Sequence, residues 1–241
     1  MRTVAQTELL GRYLAMRTTF GRLRLISLAR IHQWMWRWHS ASHRLIKRGF
    51  DVAASGLFLI VFSPLYLAIA LLIRLEDGGP ALFTQTRVGR YGREFTMFKF
   101  RSMCANAEAR LQEVLSRNHH REGITFKIKD DPRLTRIGKT LRKYSLDELP
   151  QVWNVFRGDM SLVGPRPPLP REVAHYSLAD RRRLAVKPGI TCLWQIGGRS
   201  EIDFSGQVKL DVEYIESAGF TTDIKILFKT VPAVVAAKGA C

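Results

Sequence analysis

From Val52 to Ile73 the chain reads VAASGLFLIVFSPLYLAIALLI, 22 residues without a charge. No other stretch restricts the fold as strongly. A straight helix of that length rises about 33 Å, enough to cross a bilayer core of about 30 Å. A plain transmembrane span is the commoner meaning of such a run. Two features reverse that preference. Ser63-Pro64 stands near the middle, where proline withholds an N–H and crowds the preceding turn, so the helix bends. The Ser63 hydroxyl is placed to bond an upstream carbonyl that the bend frees. Each arm then holds about 10 residues, or about 15 Å, half the hydrocarbon depth.

Charge is the second feature. Met1 to Asp51 carries 10 Lys/Arg against 2 acids, and Arg74 to Arg101 carries 6 against 3. Positive flanks stay on the cytoplasmic side. A helix-break-helix that dips in and returns satisfies both flanks, whereas a span satisfies one. The full chain has 38 basic and 21 acidic residues, a net charge of +17, and the excess sits beside the apolar run. That placement suits anionic lipid and phosphate-bearing substrates. Charge by itself also fits a nucleic-acid binder. Cys104, Cys192 and Cys241 show no disulfide or metal spacing and suit a reducing compartment. The apolar run starts too late for a signal peptide.

In the basic N-terminal segment, residues 1–46, Leu9, Leu10, Tyr13, Leu14 and Met16 suit one face of a helix. Trp34, Trp36 and Trp38 read as anchors in the headgroup layer or as an ordinary packing cluster, the first favoured by the neighbouring arginines. Residues 47–75 form the membrane helix-break-helix, closed by the breakers Glu76-Asp77-Gly78-Gly79-Pro80. Residues 76–241 form a small, mostly helical domain with a short β-hairpin, an α+β fold. Phe83 and Phe95-Thr96-Met97-Phe98 favour strands, with Val88-Gly89-Arg90-Tyr91-Gly92 turning between them. Lys99 and Arg101 share a strand face, as a solvated basic edge or as a phosphate site. Asn106 to Leu115 has helical spacing, and His119-His120 reads as a solvated pair without a third ligand. Leu134, Ile137 and Leu141 recur at helical spacing, with Arg133, Arg136, Lys139, Arg142 and Lys143 as a basic face.

Chemistry concentrates next. In Tyr144-Ser145-Leu146-Asp147-Glu148-Leu149-Pro150-Gln151, Ser145 and Glu148 have capping-box spacing, and Pro150 then sits early in the helix or bends it. Glu148 as a cap and Asp147 as a first-turn acid are the structural readings. The flanks favour chemistry. Gly164-Pro165-Arg166-Pro167 packages a single guanidinium between two prolines, which suits a rigid phosphate ligand better than a solvated charge. Acids able to hold a divalent cation among fixed arginines suggest phosphoryl transfer. Lys187-Pro188-Gly189-Ile190-Thr191 turns into a short strand. Trp194 to Ser200 contains a flexible Gly-Gly loop followed by Arg199. Val208 to Ile215 reads as a plain amphipathic surface helix carrying Asp211. Phe220 to Ala237 puts Ile224, Leu227, Phe228, Val231 and Val234 on one side, for core packing or the headgroup layer.

Taken in order, Lys47-Arg48-x-x-Asp51, Ser63-Pro64, Gln85-Thr86-Arg87, Lys99-Phe100-Arg101-Ser102-Met103, Asp147-Glu148-Leu149-Pro150-Gln151, Gly158-Asp159-Met160-Ser161, Gly164-Pro165-Arg166-Pro167 and Lys187-Pro188-Gly189-Ile190-Thr191 resemble the bacterial monotopic phosphoglycosyl transferases. The resemblance covers the chain from Lys47 onward. It implies a re-entrant membrane helix broken at Ser63 and Pro64, with catalysis on the cytoplasmic face of the bacterial inner membrane. It implies that Asp147 attacks a UDP-sugar, expels UMP and forms an aspartyl phosphosugar, which undecaprenyl phosphate then accepts. Glu148 would bind Mg²⁺, and Lys99, Arg101, Arg142, Arg166 and Arg199 would lie near phosphates. A hexose is the expected sugar, exopolysaccharide assembly the expected setting, and a homodimer one assembly it allows. Nucleic acid is not among the implied partners. The competing class is a membrane-tethered basic protein that binds nucleic acid or anionic lipid without chemistry. The resemblance gives residues 1–46 no role.

Overall fold

The computed structural model describes residues 45–104, 131–198 and 202–236, with Leu23, Ser27 and Ala107 as single positions. The expectations for Leu9 to Met16, the three tryptophans, Asn106 to Leu115, His119-His120 and Arg199 lie outside the described residues. The chain divides into two compact units, Met1–Lys47 and Arg48–Cys241. In the first, Leu23 and Ser27 are helical.

The apolar run forms a bent pair, α1 (Leu45–Val61) and α2 (Ser63–Asp77), with 61° between the two. Among the described residues no single helix is long and apolar enough to cross a membrane. The break falls where the proline predicts it. The Ser63 hydroxyl donates to Ile60 O at 2.9 Å, one turn back. The Phe62 and Tyr66 amides keep their helical bonds to Phe58 and Phe62, so the backbone ladder is carried to either side of the proline. The arms exceed the expected length because the helices run past the uncharged residues at both ends. The bend makes a shallow V rather than a tight hairpin. Gly78 ends α2 in the left-handed region at φ 72°, its amide on Arg74 O.

One face of α2 is covered. Ile69 and Ile73 are buried with Phe100 and Leu141, flanked by Tyr66, Ala70, Ile137, Leu146 and Leu149. On the rest of the pair Leu57, Ile60, Val61, Leu67, Leu71, Leu72 and Leu75 are each half or more exposed. The Lys-Arg-x-x-Asp lead-in docks α1. Arg48 donates to Val155 O at 2.6 Å and Phe156 O at 2.8 Å. Buried Asp51 accepts from the Leu162 amide at 3.1 Å.

Strands β1 (Leu82–Val88) and β2 (Glu94–Phe100) form the expected antiparallel hairpin. Register places Phe83 opposite Lys99 and Arg87 opposite Phe95, so Arg87 and Lys99 occupy the same face. After β2 the chain meets residues 133–135, where the Cys104 amide bonds Arg133 O and the Thr135 amide bonds Ser102 O. Helix α3 (Arg136–Lys143) follows, capped by Thr135. Arg133 is therefore not on its basic face, as the spacing suggests. It is buried on Asp131, which accepts from its Nη2 at 2.6 Å. A 3₁₀ turn, Leu146–Glu148, leads to α4 (Gln151–Arg157). Asn154, fully buried, accepts from the Phe98 amide and donates to Thr96 O. An amide side chain thus satisfies the outer edge of β2.

The short strand expected after Lys187-Pro188 is present and finds a partner that the residues do not announce. β3 (Ser161–Val163) and β4 (Gly189–Thr191) run parallel. Two glycines allow the approach: a Cβ on Gly189 would strike the Gly164 backbone, and a Cβ on Gly164 would lie 3.0 Å from the Gly189 amide nitrogen. The two proline-glycine motifs are thus halves of one contact, sealed by Gly189 N–H to Pro165 O at 2.9 Å. Between them lie α5 (Pro170–Ala174) and a 3₁₀ segment, Asp180–Ala185. Helices α6 (Leu193–Gly197), α7 (Phe204–Glu216) and α8 (Phe220–Ala236) complete the domain.

Two expectations are corrected here, and a third is divided. Trp194 to Gly197 is helical, and Gly198 only caps it. Helix α7 is not a plain surface element, because Asp211 is fully buried and ion-paired with Arg183 at 2.5 Å. For helix α8, read as core packing or as a headgroup-layer element, the stripe divides: Phe228 and Val231 are exposed, while Leu227 packs beside the buried face of Asp223 and Ile226. A hydroxyl–carboxylate contact from Tyr214 to Asp223, 2.7 Å, rotates the helix to that face.

Candidate active site

The acidic pair lies on the 3₁₀ turn between α3 and α4. Ser145 enters it at φ 55°, ψ 22°, and its side chain makes no capping bond. The expected capping box is absent for a physical reason. A left-handed residue points its hydroxyl away from the N–H groups an extended N-cap serves, and the Glu148 carboxylate is drawn elsewhere. Pro150 immediately precedes α4, where its missing N–H has no intrahelical role.

Lys99 reaches Glu148 from β2, Nζ to Oε1 at 3.0 Å. Asp147 is buried, and Glu148 and Lys99 keep 30% and 20% of their side chains exposed, so the pair is open to solvent on one side. Burial pushes the Asp147 carboxyl up to about 6; Lys99 offsets part of this, the Glu148 charge adds to it, and Arg142 offsets a further part. Burial also opposes charge on Glu148, but Lys99, with Arg166 and Arg87, holds its carboxyl below the ordinary range. The two adjacent acids are therefore pushed in opposite directions, Asp147 toward its protonated form and Glu148 toward its anion.

Arg142 arrives from α3. Its Nε donates to Ser102 Oγ at 3.0 Å. Gly138 on the same helix lets the Ser102 backbone approach where any Cβ would clash. Burial lowers the Arg142 guanidinium, and Asp147 and Asp131 favour its charge. Arg166 is half-buried, with Pro165 and Pro167 buried on either side.

Arg87 was not assigned a role from sequence. It is buried and donates to Pro167 O at 2.9 Å and to Gln85 Oε1 at 2.6 Å. Burial and then Arg166 pull its guanidinium down to about 10. It therefore braces the backbone beside Arg166 and adds charge facing Glu148. The signal was strand parity: Arg87 and Lys99 lie on one face of the hairpin. Arg101 is not at a solvated edge. It is buried on Asp77, the last residue of α2. Its Nε and Nη1 have no hydrogen-bond partner among the described residues.

Among the described residues no group of three or more His, Cys, Asp or Glu side chains is gathered to hold a metal. Two adjacent carboxylates, Asp147 buried and Glu148 part-exposed on Lys99, fit Mg²⁺ in its usual nucleotide manner, where one or two carboxylates are completed by phosphate oxygens and water.

A partly exposed cluster of two acids among more numerous guanidinium and ammonium groups suits an anion-handling site of the phosphate-transfer kind. Residues 42–237 match the bacterial sugar transferase family, and the chain belongs to that family. It is 47% identical over 85% of its length to galactosyl transferase CpsE of Streptococcus agalactiae serotype III, covering 45% of that protein. It is 42% identical over 80% of its length to the exopolysaccharide production protein ExoY of Sinorhizobium fredii, covering 87%. It is 43% identical over 83% to undecaprenyl-phosphate galactose phosphotransferase of Salmonella typhimurium, covering 42%. The chain thus spans less than half the length of two of these relatives.

Proposed function

We propose that this protein transfers a sugar-1-phosphate from a UDP-sugar to undecaprenyl phosphate through an aspartyl phosphosugar at Asp147. The observation that carries the reading is the adjacent acidic pair itself, Asp147 buried and Glu148 held by Lys99 at 3.0 Å, with Arg142 and Arg166 close enough to act on their charges. In the first step an Asp147 oxygen forms a bond to the sugar-bearing phosphorus. The phosphoanhydride bond breaks, and its electron pair leaves with UMP. In the second step an oxygen of the lipid phosphate bonds the same phosphorus and the Asp147 carboxylate is restored. A covalent intermediate divides one difficult displacement between two polyanions into two easier ones. Lys99, Arg142 and Arg166, with the Arg199 that the resemblance implies, offset phosphate charge, while Arg101 is taken up by Asp77. Glu148 with Asp147 would hold Mg²⁺, which supplies Lewis-acid neutralisation of phosphate oxygens when bound.

The bent pair is read as re-entrant in the cytoplasmic leaflet of the inner membrane. Arms of about 25 and 22 Å, bent by 61° and tilted equally, place the vertex about 12 Å deep, within one leaflet's hydrocarbon of about 15 Å. The exposed leucines and isoleucines of both arms support this, and so do the two basic flanks. Lipid contact then confines the acceptor phosphate near the acids.

The test incubates purified protein with UDP-sugars, UDP-galactose first in view of the relatives' names, together with Mg²⁺ and undecaprenyl phosphate. UMP release, abolished by EDTA and by Asp147→Asn, is expected. A binding protein without chemistry gives no UMP from any donor and an Asp147→Asn variant that behaves as wild type.

A further inference from the structure

The second arm of the bent pair reaches the acids directly. Tyr66 stands on α2, just after the break, and its hydroxyl donates to Leu149 O at 2.6 Å. Leu149 follows Glu148 and closes the 3₁₀ turn through its own amide to Leu146 O. The Tyr66 ring also packs on Phe100, 5.6 Å between centroids, next to Lys99. One side chain of α2 thus touches both the turn that carries the acids and the strand that carries the lysine. The same pattern continues along the arm. Ile69 and Ile73 pack with Leu141 and Leu146, the neighbours of Arg142 and Asp147. At the end of α2 the Glu76 carboxylate accepts from the Arg136 amide at 2.7 Å, at the start of the helix that delivers Arg142.

A three-residue 3₁₀ turn has weak hydrogen bonds of its own, so its shape depends on what holds it from outside. The Leu149 carbonyl has two acceptor sites. One takes the Val152 amide at 3.0 Å and starts α4; the other takes Tyr66. We propose that Tyr66 is a positioning residue for Asp147 and Glu148, and that seating of the second arm sets the geometry of the acids. The catalytic part of this claim rests on the transferase reading above; the tether itself does not.

The experiment compares wild type with Tyr66→Phe in the same lipid nanodiscs. That change keeps the ring and its packing and removes one hydroxyl. The expected result is a fall of about 10-fold in kcat for UMP release with KM for the UDP-sugar within about two-fold, the scale of one lost buried hydrogen bond. Amide exchange over residues 145–152 should quicken by a similar factor, while α7 stays unchanged. Wild-type kcat with wild-type exchange in that segment overturns the proposal. So does a purely structural outcome, in which exchange quickens throughout the domain and kcat per folded molecule is kept. If wild type releases no UMP from any donor, the transferase reading falls, and exchange in 145–152 still decides whether Tyr66 holds the turn.

Discussion

Asp147 and Asp211 are both buried carboxylates faced by arginine, and burial pushes both up to about 6. Their surroundings separate them. Asp211 meets Arg183 with side-chain exposures of 0% and 4%. Tyr176 accepts from Arg183 Nη1 at 3.1 Å, and the rings of Tyr176 and Phe204 pack over the guanidinium. One charge is matched to one charge and sealed. Around Asp147 and Glu148 stand Lys99, Arg142, Arg166 and Arg87, so the cations outnumber the acids, and the site is partly open. A balanced sealed pair fixes structure; an unbalanced open cluster has capacity left for an anion. Buried carboxylate alone would not tell these regions apart.

The comparison yields a graded set of tests. Asp147→Asn should reduce UMP release by about 10³-fold or more, as loss of a nucleophile does. Its melting temperature should rise, because a buried ionised carboxylate is a stability cost that the amide removes. Asp211→Asn should do the reverse. It leaves Arg183 buried and unpaired, lowering unfolding free energy by about 3 kcal/mol in denaturant titration, while the folded fraction keeps its kcat. Loss of turnover with full stability in that variant would merge the two regions into one site. Arg87→Lys keeps charge but loses the grip on Pro167 and Gln85. It should raise KM for the UDP-sugar about 10-fold through a displaced Arg166, measured by initial rates.

The smallest effect is in pH. Asp147 must be ionised to attack, so kcat/KM should fall about tenfold per unit as pH drops below about 6. The sign for stability is opposite. Because the native carboxyl binds its proton more tightly than the unfolded chain does, the favourable contribution is present at low pH and lost as pH rises through about 6. Lys99→Met, removing the nearest cation, should move the kinetic limb to higher pH.

Legibility in the sequence followed the range of the physics. The break at Ser63-Pro64, the hairpin and the left-handed stop at Gly78 follow from local chemistry and were visible in the residues themselves. The link of Asp147 and Glu148 to Arg166 was visible in the two prolines that package that arginine, while Arg142 was tied to them by the family resemblance. Contacts between distant segments were not visible. Nothing local announces that Asp211 is sealed by an arginine 28 residues upstream, that Asn154 completes a strand edge, or that Arg101 binds the end of α2. Ser145 misled because the capping-box spacing is satisfied while its backbone is left-handed. The stripe on α8 divides between core and surface because polar contacts of Asp223, absent from any hydrophobic pattern, set which side turns inward.

The approach of Gly164 to Gly189 has a consequence for biosynthesis. The loop that aims Arg166 is completed only when a strand some 25 residues further along, Gly189–Thr191, has been made and laid beside Ser161–Val163. Closing so long a loop precedes any gain from the contact it forms. On a ribosome, α1 and α2 emerge well before that partner exists, so on the re-entrant reading proposed above a nascent chain would meet lipid while Arg166 is still unset. On the same reading, replacing either glycine by alanine should give molecules that float with lipid vesicles yet release little UMP.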